Sequence, residues 1–378
     1  MKIAMINLTG GGMSGGYYSY LKEIVPWLVQ SPAVEHLLCA LPRGSSVPWK
    51  IEDSSKLTIT SCQPYTFWGW RQDKALISAL DDFRPHVIFV PTERFFRYKK
   101  VPVVHMVQNM EPLVRPTWRS SFVDRLKQTI KRRDAFRTLR QADGIIAISE
   151  FVEDFLVSRW GIAEERIGSV VYHGSPSLPI GSIRNNCIPD SWEDRFLFTT
   201  GSLRPYRGIE DVVFALPAIL ARNPFVAGLV IAGGTAVSSY VHELKQFIQS
   251  HHLNERVIWA GGLLPEEMRW CYSNSRLCLI TSRVEACPMI ALEALRFGST
   301  IIATDNPPLP EILLNGALFY SSGDFNALAD RVHILLNDSE RGEEVRRNGR
   351  ARAKRFSWEQ TSHQTVQQLQ NALHRANQ

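Results

Sequence analysis

"LCLITSRVEACPMIALEALRFG", residues 277–298, contains one complete unit of an α/β fold. Its first six residues form a short apolar run, which suits a strand buried on both faces. "RVEA" follows as a loop. Pro288 reads as a first helical residue, where its missing N–H is no loss, and Gly298 as the residue that closes the helix. Glu285 then falls in the loop and Glu293 about a turn and a half into the helix. Neighbours on a helix surface lie three and four residues apart, so two glutamates eight apart are not a solvent-facing pair. Ile290, Ala294 and Phe297 are expected to form the buried stripe, with Glu293 beside it. A carboxylate in such surroundings is either satisfied by neighbouring backbone or an arginine, or held for a ligand.

The same pattern recurs on both sides. Apolar runs at 2–8, 36–41, 57–62, 87–92, 101–109 and 144–149 precede a Gly-, Pro- and Ser-rich stretch at 173–194. Further runs follow at 196–201, 227–234, 256–262, 277–282, 299–305 and 316–322. Helical patterns separate them, among them Tyr18, Leu21, Ile24, Val25 and Leu28, a stripe interrupted by Pro26. Continuous apolar runs alternating with amphipathic helices predict buried parallel strands in β-α-β units. The expectation is two Rossmann-like, doubly wound parallel-sheet domains, residues 1–175 and 192–355, facing a central cleft. A last helix over 357–378 can belong to either domain.

Size and composition agree. A chain of 378 residues favours two domains, and 44% hydrophobic with 21% charged residues is ordinary for a globular protein. No apolar run reaches the ~20 residues that span a bilayer, and "MKIAMINLTGG" is too short and too quickly glycine-rich for a signal peptide. Six scattered cysteines without C-x-x-C spacing argue against structural zinc and a disulfide framework, and for reduced thiols in the cytoplasm. A net charge of +6 admits anionic partners of any kind.

Ligands of open parallel sheets bind beyond the carboxyl ends of the strands. There, "TGGGMSGGYYSYL" (9–21) leads from the first strand into a helix, and its glycines permit close backbone approach to an anion or a sugar hydroxyl. It is equally readable as a tight turn, and it lacks the dinucleotide spacing. "TTGSLRPYRGIED" (199–211) places Arg204 and Arg207 between Gly201 and Gly208 at the end of another strand. Two guanidiniums in that position suit a diphosphate, although solvated arginines fit as well.

Taken together, these stretches resemble the GT-B retaining glycosyltransferases, glycosyltransferase family four in particular. Glu285 and Glu293 match its E-x7-E motif, and "GSLRPYRGIED" is similar to its Gly-Arg-Leu…Lys-Gly loop. "LRQADGIIAISEFVEDFLVSRWGI" (139–162), "VVYHG" (170–174) and "ATDNPPLPEILLNGALFYSSGDFNALAD" (303–330) resemble further segments of that family. The resemblance implies transfer of a sugar from a nucleotide-diphosphate sugar to a hydroxyl of a glycan or lipid-linked acceptor, with retained configuration, in cell-surface polysaccharide or lipopolysaccharide biosynthesis. It implies that Glu285 binds the donor sugar, Glu293 the ribose, and the backbone at Pro288, Met289 and Ile290 the diphosphate. Arg207 stands at the family's lysine and would neutralise the leaving group. Gly15 and Gly16 would border the cleft, with Gly201 and Arg204 on the donor side. Without a D-x-D motif no metal or other cofactor is implied.

The chain departs from the family twice. Ser202 stands where an arginine is usual, with Arg204 as its replacement. Gln108 stands at the family's histidine, where it would hydrogen-bond in the catalytic site without carrying charge; His105, three residues earlier, belongs inside the strand. These departures support a rival reading as a nucleotide-sugar-binding protein impaired in catalysis. Another GT-B enzyme, a phosphorylase or epimerase, is a second rival. "RLKQTIKRRDAFRTLRQ" (125–141), with Leu126, Ile130 and Leu139 among its basic residues, reads as a helix for an anionic membrane surface, hence a peripheral enzyme on the inner face. Arg115, Arg119 and the aromatic stretch 62–74 extend that surface, whereas no motif points to nucleic acid.

Overall fold

The computed structural model describes residues 1–9, 15–51, 54–65, 73–114, 122–177, 181–234 and 236–378, with the side chains of 122 and 123 excepted. Residues 10–14 of the glycine loop, 66–72 of the aromatic stretch, Arg115 and Arg119 lie outside the described residues.

Each apolar run forms a parallel strand. Six build the first sheet: β1 (Lys2–Ile6), β2 (His36–Pro42), β3 (Leu57–Cys62), β4 (Val87–Val90), β5 (Val103–Val107) and β6 (Gly144–Ala147), in the order β3-β2-β1-β4-β5-β6. Six more build the second: β7 (Phe196–Thr200), β8 (Gly228–Ala232), β9 (Val257–Gly261), β10 (Leu277–Ile280), β11 (Ile301–Thr304) and β12 (Ala317–Tyr320), in the order β12-β11-β10-β7-β8-β9. Both are the doubly wound order in which the chain runs outward on one side and returns to the other side of its first strand. All four residues of β4, β6, β10 and β11 are buried, as helices packed on both faces require.

Two compact units result. One comprises Met1–Arg115, Ser121–Gly174 and Phe356–Gln378, so the last helix, Trp358–Ala376, belongs with the first sheet. The other contains Ser175–Arg355. Much of the expected linker therefore belongs to the second unit. Ile183 N donates to Glu266 O at 3.2 Å and Asn185 Nδ2 to Glu267 Oε1 at 2.8 Å, while Ile188 is fully buried.

Two helical expectations change. In the first helix, Gly15–Gln30, Tyr20 and Val29 are buried with Leu21, Ile24, Val25 and Leu28, whereas Tyr18 is half-buried. The basic helix spans Phe122–Gln141, but its apolar residues do not share a free face. Leu139 is fully buried and Ile130 half-buried, while Leu126 is 54% exposed. Its second half is structural, and only its first half projects an apolar residue among basic ones.

Candidate active site

β7 and β10 are neighbours, and the chain reverses its winding between them. The loops that leave these two strands therefore flank the crevice where doubly wound sheets take their ligands. They carry Arg204, Arg207, Glu285 and the entry to Glu293.

The loop after β7 turns at Gly201 (φ +133°), passes through a single 3-10 turn, Pro205–Arg207, and reaches Gly208 (φ +63°) before the helix Ile209–Arg222. Gly208 is demanded twice over. Its φ is left-handed, and a Cβ there would lie 2.2 Å from the Thr281 carbonyl oxygen. That close approach locks the loop onto the end of β10. Thr281 Oγ1 donates to Arg207 O at 2.7 Å, and Arg283 N donates to Tyr206 O at 2.8 Å.

On this stitched backbone, Arg207 Nη1 forms an ion pair with Glu285 Oε1 and donates to Ser282 Oγ at 3.3 Å. The two side chains are 20% and 12% exposed, so the pair is largely withdrawn from water while one side still faces solvent. Arg204 is half-buried and makes no side-chain hydrogen bond or ion pair among the described residues. Ser202 Oγ shares a hydrogen bond of 3.0 Å with Tyr206 OH, and Gly201 backs onto the side chain of Arg207.

The helix after β10 spans Met289–Phe297, one residue later than expected, with Pro288 in front of it in an extended conformation. No side chain caps this end. Ala291 N and Leu292 N donate to Pro288 O, leaving the N–H groups of Met289 and Ile290 without an acceptor among the described residues. Such N–H groups favour an anion. The buried face is Ala291, Leu292, Ala294 and Leu295, not Ile290 and Phe297, which are half-buried like Glu293. Small residues face the sheet because the helix packs closely on it, and the larger ones flank it. Gly298 closes the helix at φ +72°.

Glu293 has no cation within ion-pair distance among the described residues. Tyr272 OH donates to its Oε2 at 2.8 Å, and the Tyr272 ring is held against Phe297 (5.6 Å, stacked) and Phe198 (5.2 Å, edge-on). Burial raises the Glu293 carboxyl to about 7, which the tyrosine hydrogen bond only partly offsets.

One group of residues has no counterpart in the sequence reading. Arg283, inside the loop that carries Glu285, donates to Glu210 Oε1 and Asp211 Oδ1, both at 2.8 Å, and to Ser322 Oγ. Asp211, 2% exposed, also accepts from Tyr320 OH at 3.0 Å and Gly323 N at 2.9 Å. Tyr240 OH donates to the other oxygen of Glu210. One buried cluster thus ties the loops after β7, β10 and β12 together. Burial pushes the Asp211 carboxyl up, against the pull of Arg283. The only local signal was the acidic pair in "GIED" at a helix start.

In the first unit, Gly15 opens its helix at φ +57° with Gly16 beside it. Gln108 lies just past β5 and donates to Pro91 O at 3.1 Å. His105 sits within β5, 1% exposed, its Nδ1 3.0 Å from Thr92 O, and burial lowers it to about 4. It is a neutral core residue at neutral pH. Arg94, which the sequence did not single out, reaches the carboxyl end of β1, donating to Leu8 O at 2.9 Å.

Residues 37–174 match the family Glycosyltransferase Family 4, and residues 190–352 match Glycosyl transferases group 1. An uncharacterized glycosyltransferase of Methanocaldococcus jannaschii is 24% identical over 236 residues, 59% of this chain and 58% of its own. O-antigen chain mannosyltransferase B of Escherichia coli is 22% identical over 235 residues, 61% of each chain. The match thus spans about three fifths of the length of these relatives. Among solved structures, the sucrose-phosphate synthase of Thermosynechococcus elongatus superposes with a TM-score of 0.72 at 20% identity, covering 100% of this chain and 98% of its own. Anabaena HepE in complex with UDP-glucose superposes with a TM-score of 0.69 at 18% identity, covering 98% and 99%.

Proposed function

We propose that this GT-B chain, whose two halves match Glycosyltransferase Family 4 and Glycosyl transferases group 1, is a glycosyltransferase that moves a sugar from a nucleotide-diphosphate donor to a hydroxyl of a glycan or lipid-linked acceptor, with retained configuration, in cell-surface polysaccharide or lipopolysaccharide assembly. The observation that carries the reading is the pairing of Arg207 with Glu285 at the winding reversal, next to the uncapped helix at Met289. The donor complex of the Anabaena neighbour and the O-antigen role of the Escherichia coli relative support the substrate classes.

In this mechanism the acceptor oxygen bonds to the anomeric carbon as the bond from that carbon to the diphosphate oxygen breaks, and the acceptor proton passes to the departing phosphate. Negative charge gathers on the diphosphate, where Arg207, Arg204 and the N–H groups of Met289 and Ile290 neutralise it. Glu285, oriented by Arg207, accepts hydroxyl hydrogens of the donor sugar, and Glu293 those of the ribose. No resident metal or other cofactor takes part. Within the first unit, Gln108 supplies a hydrogen bond without charge, and Gly15 and Gly16 allow close backbone approach to a substrate.

No helix among the described residues is long and apolar enough to cross a membrane. A lipid-linked acceptor would be met through the exposed Leu126 and its basic neighbours Arg125 and Lys127, on the inner face of the membrane.

The test is a thermal-shift and turnover screen of the full chain with UDP-, GDP- and dTDP-sugars. One donor raises the melting temperature and, with acceptor, releases its nucleoside diphosphate. No shift with any donor overturns the reading. A shift without release, with every acceptor tried, supports instead the binding protein that Gln108 and Ser202 suggest.

A further inference from the structure

Tyr206 precedes Arg207 in the loop after β7, half-buried and tied down at its carbonyl, its hydroxyl and its ring. The carbonyl oxygen accepts from Arg283 N at 2.8 Å, which joins it to the loop that carries Glu285. The hydroxyl shares its 3.0 Å hydrogen bond with Ser202 Oγ. The Arg207 guanidinium lies over the ring, its central carbon 5.2 Å from the ring centroid. A cation within about 6 Å of an aromatic face is attracted by the ring's quadrupole, and more strongly where water is largely excluded.

The backbone on both sides of this ring is braced. Leu203, 7% exposed, bridges to Ala236, and Val237 N donates to its carbonyl at 2.9 Å. Arg204 N donates to Ser202 O at 2.8 Å, and Arg207 N to Arg204 O at 2.9 Å. Ser202 therefore stands on a fixed stretch and Tyr206 on the 3-10 turn that follows it. The hydrogen bond between their side chains sets the tilt of the ring. The stem of Arg207 passes Gly201, where a built Cβ would lie 3.5 Å from Cδ. Glycine backbone, an aromatic face and the Glu285 carboxylate thus hold one long side chain that is otherwise rich in rotamers.

The ring and the carboxylate do different things. A diphosphate competes with Glu285 for the guanidinium, but it does not compete with the ring. Tyr206 attracts the cation without a charge of its own, so its hold persists whichever anion is engaged. This also gives Ser202 a purpose at the position where the family usually has an arginine. A guanidinium there would take the hydroxyl partner away from Tyr206 and set a like charge beside Arg207. Serine keeps the ring in place.

We propose that Tyr206, oriented by Ser202, is the positioning residue for Arg207, and that it keeps the guanidinium within reach of both Glu285 and the departing diphosphate. The part in sugar transfer rests on the transferase reading; the hold on the guanidinium does not.

Turnover of the full chain is measured by nucleotide release with whichever UDP-, GDP- or dTDP-sugar raises its melting temperature most. Tyr206→Leu lowers kcat about tenfold. Tyr206→Phe and Ser202→Ala each lower it severalfold, and the two combined lower it no further, because the same hydrogen bond is lost. Ser202→Thr, which keeps the hydroxyl, recovers most of the rate lost in Ser202→Ala, whereas Ser202→Arg lowers the rate. In an Arg207→Ala background Tyr206→Leu costs nothing more, as a residue that acts through Arg207 requires. A second arm needs no substrate. Urea unfolding gives the coupling between Arg207→Ala and Glu285→Ala, and Tyr206→Leu about halves it. An equal loss of kcat with and without Arg207, a rate raised by Ser202→Arg, or a coupling untouched by Tyr206→Leu overturns the proposal. If the wild type releases no nucleotide, the transferase reading falls, and the urea cycle still decides whether Tyr206 holds the guanidinium.

Discussion

Arg207, in the loop after β7, forms its ion pair with Glu285, in the loop after β10, so that the charge held for the leaving group also orients the carboxylate held for the sugar. Once a diphosphate arrives, it and Glu285 compete for the same guanidinium. Planar, five-donor arginine can serve both at once, which an ammonium does less well.

The first prediction follows from that double duty. Arg207→Ala removes the cation and strands a mostly buried carboxylate. Turnover measured by nucleotide release falls by two to three orders of magnitude, about 3–4 kcal/mol of transition-state stabilisation. Circular dichroism stays native. Arg207→Lys recovers part of the rate. Glu285→Ala loses transfer as well, and the double variant is less unstable than the sum of the single ones, as expected for a coupled pair. Additive losses of stability or undiminished turnover in Arg207→Ala would contradict the assignment.

Glu293 makes stability depend on pH. Its carboxyl is raised by burial from 4.5 to about 7. Below pH 4.5 it is protonated in folded and unfolded chains alike. Between pH 4.5 and about 7 the folded chain keeps a proton that the unfolded chain has released, so stability contributed by this group falls as pH rises, then levels off. Urea denaturation at pH 5 and pH 8 should show this loss in the wild type and a smaller one in Glu293→Gln. Nucleotide binding has the opposite slope, since ribose hydroxyls donate best to the ionised carboxylate. Affinity for the nucleoside diphosphate that the donor screen selects therefore rises from pH 6 to pH 8, and the rise is absent in Glu293→Gln.

Asp211 carries no assigned chemistry, yet its loss should be felt at the site. Removing one partner of a buried ion pair typically costs about 3–5 kcal/mol, and Asp211 also holds Tyr320 and Gly323. Asp211→Ala is expected to lower the urea midpoint of unfolding markedly and to raise the KM for the donor, because Arg283 shares a loop with Glu285. A variant that unfolds like the wild type would show that the Arg283–Glu210 pair alone suffices.

How much of this was legible in the sequence depends on whether the information is local. A strand such as β10 is four apolar residues buried on both faces, and that pattern needs no knowledge of the neighbours. The loops that follow β7 and β10 were likewise readable, since the ends of parallel strands are where ligands bind. The buried face of the Met289–Phe297 helix was not, because hydrophobicity favours Ile290 and Phe297, whereas close packing on a sheet favours Ala291 and Ala294. Arg283 and Asp211 meet across 72 residues and Tyr272 and Glu293 across 21, distances over which no periodicity operates. Arg283 stood inside the decisive stretch, two residues before Glu285, with nothing beside it in sequence to mark its partner.

Gly208 offers the sharpest test of how the two loops are joined, because a matched control exists in the same unit. Gly208 and Gly261 have nearly the same left-handed backbone, φ +63° and +66°. An alanine pays about 1–2 kcal/mol for that conformation at either position. At Gly261 nothing lies within 4 Å of a built Cβ, so that conformational cost is the whole effect. At Gly208 the Cβ would be 2.2 Å from Thr281 O, and a backbone oxygen cannot rotate aside. The loops must separate, which breaks the Thr281–Arg207 hydrogen bond and moves the guanidinium away from Glu285. Gly261→Ala is therefore expected to lower stability slightly and keep full turnover. Gly208→Ala is expected to lower stability further and to abolish nucleotide release at temperatures where it remains folded. Equal turnover in the two variants would show that Arg207 is not held in place by this contact.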